Sequence, residues 1–199
     1  MQVAQRVARI SEDEYLRLER EAQTKSEYFE GEMFAMAGGT RNHSLIASNL
    51  LRELSWAVKK TDCVANNSDL RIRIEATGLL TYPDISVVCG QQRFRDEEED
   101  TLLNPVLIVE VLSPSTEAYD RGKKFEHYRQ IPTCRELLLV SQTEPRVELF
   151  VRQSSGEWLL REASGIDAEI VVSSLGIKIP LAEIFAKVTF GPRALRPPA

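Results

Sequence analysis

The sequence has 199 residues, of which 43% are hydrophobic and 28% are charged, and its net charge at pH 7 is −5. This composition is typical of a soluble globular protein with a sizeable core. The acidic balance excludes a uniformly basic surface, so a contact with nucleic acid would need a local basic patch or a metal ion. No apolar run approaches membrane-spanning length and the first residues lack the apolar core of a signal peptide, so we expect a cytoplasmic protein with no membrane partner.

The three cysteines, Cys63, Cys89 and Cys134, are an odd number and none of them is close to another in sequence. This pattern indicates neither a disulfide framework nor a zinc site. We therefore expect all three to be small buried hydrophobic side chains of a protein in a reducing compartment.

The first part of the chain contains two predicted helices and one predicted hairpin. Ser11-Glu-Asp-Glu14 is a capping box, which predicts a helix that ends near Ala22. Residues 28–36 alternate loosely, as in a strand or a hairpin bent around Gly31. Residues 41–60 have helical apolar spacing and form the longest predicted helix, with one stripe at Ile46, Leu50, Leu54 and Ala57.

The remaining chain alternates predicted strands and helices. Three strands are predicted in succession, followed by a helix, another strand, a hairpin and a short strand that leads into a helical turn; the ranges are 69–74, 82–89, 106–112, 116–130, 136–140, 146–161 and 177–186. This order predicts an α/β or α+β fold with a central mixed β-sheet flanked by helices. We expect a single domain over residues 1–190 and a flexible C-terminal tail over residues 191–199.

A carboxylate lies in the middle of the most apolar predicted strand. Because side chains alternate along a strand, Glu110 shares one face with Val106, Ile108 and Leu112. An isolated charge in such a place is very costly. Glu110 is therefore expected to be paired, protonated or bound to a cation.

Asp84 and Lys124 are the candidate partners of Glu110. Asp84 opens the preceding strand, so the two carboxylates would lie side by side if these strands are neighbours. Lys124 shares a helical face with Phe125 and Tyr128, which turns it toward the sheet. Two carboxylates and a lysine suit Mg²⁺, which can activate a water for attack on a phosphodiester. The lysine could position or deprotonate that water, or stabilise the developing negative charge.

Three motifs resemble those of a known family. They are Tyr82-Pro-Asp84, Glu110-Val-Leu-Ser-Pro-Ser-Thr116 and Asp120-Arg-Gly-Lys-Lys124-Phe-Glu-His-Tyr128. Together they resemble the "putative restriction endonuclease" family of the PD-(D/E)XK nuclease superfamily. The resemblance covers roughly residues 11–185, including Tyr28-Phe-Glu-Gly-Glu32, Asn42-His43 and the Ile177-Lys-Ile-Pro-Leu181 ending.

The resemblance implies a restriction endonuclease-like core and a metal-dependent DNA endonuclease. Asp84 and Glu110 would hold Mg²⁺ or Mn²⁺, and Lys124 would assist the attacking water. The superfamily pattern places the lysine two residues after the acid, where this sequence has Leu112, whereas the family it most resembles commonly moves the lysine to the next helix. Lys123 is an adjacent alternative, but helical phase favours Lys124. Nucleases of this fold often act as dimers, so a homodimer is expected.

Four further residues are candidates with ordinary alternatives. Glu30 and His43 lie in stretches that match the family, yet Glu30 could be a solvent-facing turn residue and His43 a packing or capping residue. Arg71 and Arg73 could contact a nucleic-acid backbone, but arginines on the polar face of a strand are more often solvated. Asp84 could also simply pair with one of these arginines.

Three other functions stay open at this point. The fold could be a catalytically silent module that binds nucleic acid or a protein partner, which the acidic charge and Leu112 would allow. Asp84, Glu110 and Lys124 could be an ion-pair cluster without a metal. The protein could also hydrolyse another phosphate ester. The sequence gives neither a recognition sequence nor a preference for DNA over RNA.

Overall fold

The computed structural model describes residues 9–36 and 38–191. Its first helix, α1 (Glu12–Glu21), begins where the capping box predicted, because the Ser11 hydroxyl accepts a hydrogen bond from the Glu14 N–H. The predicted hairpin is also present, as strands β1 (Ser26–Phe29) and β2 (Glu32–Ala35).

The long helix α2 (Arg41–Val58) begins at Thr40, whose hydroxyl accepts a hydrogen bond from the N–H of residue 43. Its buried residues follow a strict four-residue spacing: Ile46, Leu50, Leu54 and Val58. Ala57, which we had placed on this stripe, is exposed instead. The stripe continues at Val58 because residues four apart stack on one face of a helix.

Eleven further strands follow α2, and their bounds are β3 (Cys63–Asn67), β4 (Arg71–Ile74), β5 (Leu79–Thr81), β6 (Ile85–Cys89), β7 (Thr101–Leu102), β8 (Leu107–Leu112), β9 (Glu136–Ser141), β10 (Arg146–Arg152), β11 (Trp158–Ser164), β12 (Glu169–Val172) and β13 (Ile177–Pro180). The short helix α5 (Leu181–Ile184) follows β13.

The helix predicted over residues 116–130 is present in three consecutive segments. It begins as α3 (Glu117–Tyr119), continues as a π-helical segment (Asp120–Lys124) and ends as α4 (Phe125–Tyr128). The whole stretch connects two parallel strands, β8 and β9. Parallel neighbours need such a crossover, and π-helical turns inside helices occur frequently at functional sites.

The strands form two main sheets and one ribbon. The larger sheet has the order β11-β10-β9-β8-β6-β3 and is mixed, with β8 and β9 parallel and its other pairs antiparallel. The second sheet has the order β2-β1-β5-β4-β7, and β12 pairs with β13. The predicted fold class, a mixed sheet flanked by helices, is confirmed.

The central strands β8 and β9 of the larger sheet are buried on both faces. On one face Val87 and Val109 pack against α2 and α5. On the other face Ile108 and Leu112 pack with residues of β4, β5 and α4. Glu110 lies between these two residues on the second face, as the alternation of β8 predicted.

The strand predicted over residues 82–89 begins only at Ile85. The chain runs through β5 in the second sheet, breaks at Tyr82-Pro83-Asp84 and resumes as β6 in the larger sheet. Pro83 cannot donate to a ladder, which favours this break. Asp84 therefore lies at the corner where the chain passes from one sheet to the other.

The prediction that all three cysteines are free is wrong. Cys63 and Cys89 face each other across the β3–β6 pair and form a disulfide, with their Cα atoms 3.9 Å apart. Cys134 is free and buried, as expected. The sequence did not reveal the pairing because β3 was not predicted as a strand.

No helix among the described residues is both long and apolar enough to cross a bilayer. The single domain over residues 1–190 and the cytoplasmic location stay predictions. The predicted tail, apart from Gly191, falls outside the described residues.

Candidate active site

The two predicted metal ligands lie side by side. β6 and β8 are antiparallel neighbours in the register Ile85↔Val109, so the next position sets Asp84 opposite Glu110 on one face. Asp84 Oδ2 also accepts a 2.7 Å hydrogen bond from the N–H of Val111. The backbone of the central strand thus fixes the orientation of the Asp84 carboxylate.

Glu110 is buried and held by two side chains of the following helix. It is 4% exposed. Its Oε1 accepts a 3.1 Å hydrogen bond from Lys124 Nζ and a 2.5 Å hydrogen bond from the Tyr128 hydroxyl. The helix between β8 and β9 therefore supplies two hydrogen-bond donors to Glu110 of β8.

Lys124 is the lysine of this cluster. It is 5% exposed, and its Nζ lies 3.1 Å from Glu110 Oε1, 3.1 Å from Glu27 Oε1 and 3.6 Å from Asp120 Oδ1. The side chain of Lys123 is 70% exposed and pairs with Glu126 on the surface. Of the two candidates, the structure brings only Lys124 to the carboxylates.

The electrostatics of the cluster are dominated by burial and by its excess of acid. Burial raises the pKa of Glu110 to about 8, with the charges of Asp120 and Asp84 adding to the rise and Lys124 opposing it. Burial lowers the pKa of Lys124, but the carboxylates of Glu110, Glu27 and Asp120 raise it well above its usual value. Lys124 therefore stays an ammonium, and it does not balance all the carboxylates around it.

His43 joins the site and Glu30 does not. His43 lies in the first turn of α2, with Nε2 3.3 Å from Asp84 Oδ2, and the hydrogen bond with Asp84 raises its pKa although burial lowers it. Glu30 is an exposed turn residue between β1 and β2, with a positive φ of 49°.

Arg71 and Arg73 are not on a solvated face. Arg71 is 2% exposed, donates a 2.7 Å hydrogen bond to the Tyr82 hydroxyl and pairs with Asp100 at 3.0 Å. Arg73 pairs with Glu12 of α1 at 2.8 Å. The alternation of β4 placed them outward, but α1 and the segment around Asp100 supply acidic partners on that side.

Two acidic residues of the cluster were missed as site residues. Glu27 of β1 contacts Lys124 and also accepts a 2.5 Å hydrogen bond from Thr81 Oγ1. Asp120 is 4% exposed, and burial raises its pKa. Asp120 lies four residues before Lys124 in a motif quoted above, so its spacing was an available signal. Glu27 gave no signal, because only the pairing of β1 with β5 brings it near.

These side chains line a pocket of about 500 Å³. Its floor holds the carboxylates of Glu27, Asp84, Glu110 and Asp120 together with Lys124 and His43. The rest of the wall comes from the end of β2, the loop before α2, the loop after β8 and Tyr119. The predicted triad thus lies in one open pocket and not in a closed core.

The donor set of the pocket suits a divalent cation held by two carboxylates. Within residues 9–36 and 38–191 the side-chain hydrogen bonds of Glu110 go to Oε1 and that of Asp84 goes to Oδ2, so the second oxygen of each accepts none there. The same part of the chain contains no cluster of three or more His, Cys, Asp or Glu side chains arranged around a metal. Mg²⁺ commonly uses one or two carboxylates and keeps several waters, which agrees with this set.

A crystal structure of a protein from Anabaena variabilis has a similar fold. The Anabaena protein (strain ATCC 29413), described as a "putative nuclease belonging to DUF820", superposes with a TM-score of 0.74 over 90% of this chain and 99% of that chain. The two sequences are 24% identical. At this identity the likeness concerns the fold.

Two relatives from Synechocystis sp. are similar in sequence over nearly their whole length. The uncharacterized protein slr1290 is 38% identical over 183 residues, which are 92% of this chain and 94% of that protein. The uncharacterized protein sll1609 is 37% identical over 164 residues, which are 82% of this chain and 93% of that protein.

The family profile agrees with the resemblance that the motifs carry. The profile named Uma2, described as "Putative restriction endonuclease", matches residues 12–182. These residues include all three motifs and every side chain of the pocket floor. The chain belongs to the Uma2 family of restriction endonuclease-like proteins.

Proposed function

We propose that this protein is a metal-dependent DNA endonuclease that hydrolyses phosphodiester bonds at Asp84, Glu110 and Lys124. The observation that carries the proposal is the position of Lys124, whose buried Nζ contacts Glu110 beside Asp84 in an open pocket. A structural ion pair would not require an open pocket around it. The family description and that of the Anabaena protein both name nucleases, which supports a nucleic-acid substrate.

Asp84 and Glu110 would hold Mg²⁺, or Mn²⁺ in its place. When bound, the cation would activate a water and neutralise charge on the phosphate. The two carboxylates would present one free oxygen each, since the Val111 N–H, Tyr128 and Lys124 already hold the others. His43 would keep Asp84 oriented through its contact with Oδ2.

Lys124 would stabilise charge and not remove a proton. The surrounding carboxylates raise its pKa, so Nζ keeps its protons at neutral pH. An ammonium cannot act as a base, but it can donate hydrogen bonds to the water or to a phosphate oxygen that gains negative charge. Of the roles that the motif suggested, positioning the water and stabilising the transition state therefore fit best.

The test is nicking of supercoiled plasmid by the full chain with Mg²⁺ or Mn²⁺, alongside Asp84→Ala. We expect nicking that requires the metal and that Asp84→Ala abolishes while its circular dichroism stays that of the wild type. Nicking retained by a folded Asp84→Ala protein would overturn the assignment.

The second candidate is a catalytically silent module that binds nucleic acid or a protein partner. The excess of acid in the pocket favours its protein-binding form, because carboxylates repel phosphate unless a cation lies between them. The two functions differ in one property: the endonuclease requires a divalent cation at Asp84 and Glu110, and the silent module does not. A homodimer, which would supply two sites for two strands, belongs to the first proposal.

A further inference from the structure

An exposed aromatic ring lies beside the carboxylates of the pocket. β1 and β2 pair in the register Glu27↔Phe34, so the two side chains lie on the same face of the hairpin. Glu27 contacts Lys124. Phe34 lines the pocket and is 47% exposed. The Phe34 ring therefore lies one strand away from Glu27, the residue that contacts Lys124, and much of its surface is exposed.

A second exposed aromatic ring is tied to the same carboxylate. Tyr119 of α3 lines the pocket, is 38% exposed and donates a 3.1 Å hydrogen bond to Glu27 Oε2. Its ring centroid lies 5.8 Å from Lys124 Nζ. One ring comes from a strand and the other from a helix, yet both lie next to the Glu27–Lys124 pair.

The charge of the pocket indicates what these rings could contribute. Four carboxylates line it against Lys124 and His43, and the candidate nucleic-acid contacts Arg71 and Arg73 are engaged in internal ion pairs. Phosphate contacts by basic side chains, which supply most non-specific affinity for duplex DNA, are scarce in this pocket. Stacking of bases on aromatic rings is an alternative source of affinity that needs no positive charge.

The volume of the pocket is sufficient for a ligand the size of a nucleobase. This volume of about 500 Å³ lies within the range of about 300–1,000 Å³ that small-molecule ligands use. A base within a duplex stack presents only its edge to a protein, whereas an unpaired or extruded base presents its face. Rings beside the phosphate site can therefore stack only on a base that has left the stack.

We propose that Phe34 and Tyr119 form a stacking site for an unpaired nucleobase next to the phosphate at Asp84, Glu110 and Lys124. The substrate class is then single-stranded or locally unpaired nucleic acid. This inference rests on the proposed nuclease function, and it adds the form of nucleic acid that the pocket takes. Phe34 and Tyr119 are binding residues here, with no part in the chemical step.

The test is the binding of a short oligonucleotide that contains 2-aminopurine, whose fluorescence falls when it stacks. The full protein is titrated in Ca²⁺ with the single strand and with the same sequence as a blunt duplex. We expect tighter binding of the single strand, with quenching. Phe34→Ala should weaken it by about 5- to 150-fold, the effect of losing one stacked base.

Matched variants distinguish the loss of stacking from a loss of the folded structure. Met33→Ala removes an exposed neighbour on the opposite face of β2 and should bind like the wild type. Phe34→Tyr and Tyr119→Phe keep a ring and should retain quenching, whereas Phe34→Leu and Tyr119→Ala should lose it. Circular dichroism of each variant checks that the fold is intact.

Two results would overturn the inference and they point to different causes. A folded Phe34→Ala protein could bind the single strand as tightly as the wild type while metal-dependent nicking stays intact. That result would disprove the stacking site but not the nuclease function. Failure of the wild type to bind either form would remove both the stacking site and the proposed function.

Discussion

Lys124 shows how far helical phase alone could predict the site. The helical spacing predicted that Lys124 and Tyr128 face the sheet. Both are buried and contact Glu110. Phe125, on the same predicted face, is only half-buried. The π-helical segment explains this, because its wider turn shifts residues from the α-helical period of 3.6 on which the prediction rested.

The two neighbouring lysines offer a direct comparison at this scale. Lys124→Met should slow metal-dependent nicking by about 100-fold or more, since it removes the charge that stabilises the reacting phosphate. Lys123→Met removes an exposed lysine that pairs only with Glu126 on the surface, so its rate should be that of the wild type. The measurement is the initial rate of plasmid nicking for both variants.

Thermal unfolding of both variants provides the control for that comparison. Lys124→Met also leaves buried carboxylates without their ammonium, so its melting temperature is expected to fall. The rates are therefore compared well below both transitions. Equal nicking rates for the two variants would contradict the role of Lys124.

Among the elements, most of those with clear apolar patterns were predicted, although β12 was missed despite its run of β-branched residues. The alternation in β6 and β8 predicted the strands that carry the site. β3 contains Asn66 and Asn67, which are unfavourable in strands, and β7 has only two residues. Pairing across distant parts of the chain has no local signal, so neither the disulfide nor the approach of Glu27 could be found.

The disulfide between β3 and β6 gives a prediction that corrects the sequence analysis. After denaturation without reductant, one thiol per chain, that of Cys134, should react with a thiol reagent, and reduction should raise the number to three. The double variant Cys63→Ala/Cys89→Ala should lower the free energy of unfolding by about 2–4 kcal/mol, because the cross-link restricts the unfolded chain. Three reactive thiols before reduction would contradict the assignment.

Across the whole molecule, composition predicted an ordinary soluble fold but not how its charges are used. The arginines of β4 join α1 and the segment around Asp100 to the second sheet: Arg73 pairs with Glu12, and Arg71 with Asp100. Asp100 also pairs with Arg20 of α1 at 2.8 Å. Much of the charge therefore holds the N-terminal helix in place and is not displayed to a partner.

Asp100 makes this network sensitive to acid. Burial raises the pKa of Asp100. Hydrogen bonds from Arg20 and Thr101 and the charges of Arg71 and Arg20 lower it by more than burial raises it, so the pKa is about 2. A pKa below that of the unfolded chain adds stability that is complete above about pH 4 and is lost as the pH falls toward 2. The wild type should therefore lose this contribution between those two values.

Asp100→Asn should remove the contribution at neutral pH. We expect the free energy of unfolding to fall by about 2–3 kcal/mol. Breaking a fully buried pair costs roughly 3–5 kcal/mol, and the loss here is smaller because a third of the Asp100 side chain is exposed. The difference from the wild type should shrink below pH 4, as measured by urea unfolding. Glu126→Gln, which breaks an exposed pair, should cost at most about 0.5 kcal/mol. A difference that stayed constant down to pH 2 would contradict the network.

The proposed nuclease activity depends on whether Asp84 and Glu110 hold a cation. Calorimetric titration of the folded protein with Mn²⁺ and Mg²⁺ measures this without knowledge of the substrate. We expect the wild type to bind and both Asp84→Ala and Glu110→Gln to lose most of that affinity, while Glu126→Gln keeps it. A folded wild type that binds neither cation would show that Asp84, Glu110 and Lys124 are an ion-pair cluster in a nuclease fold.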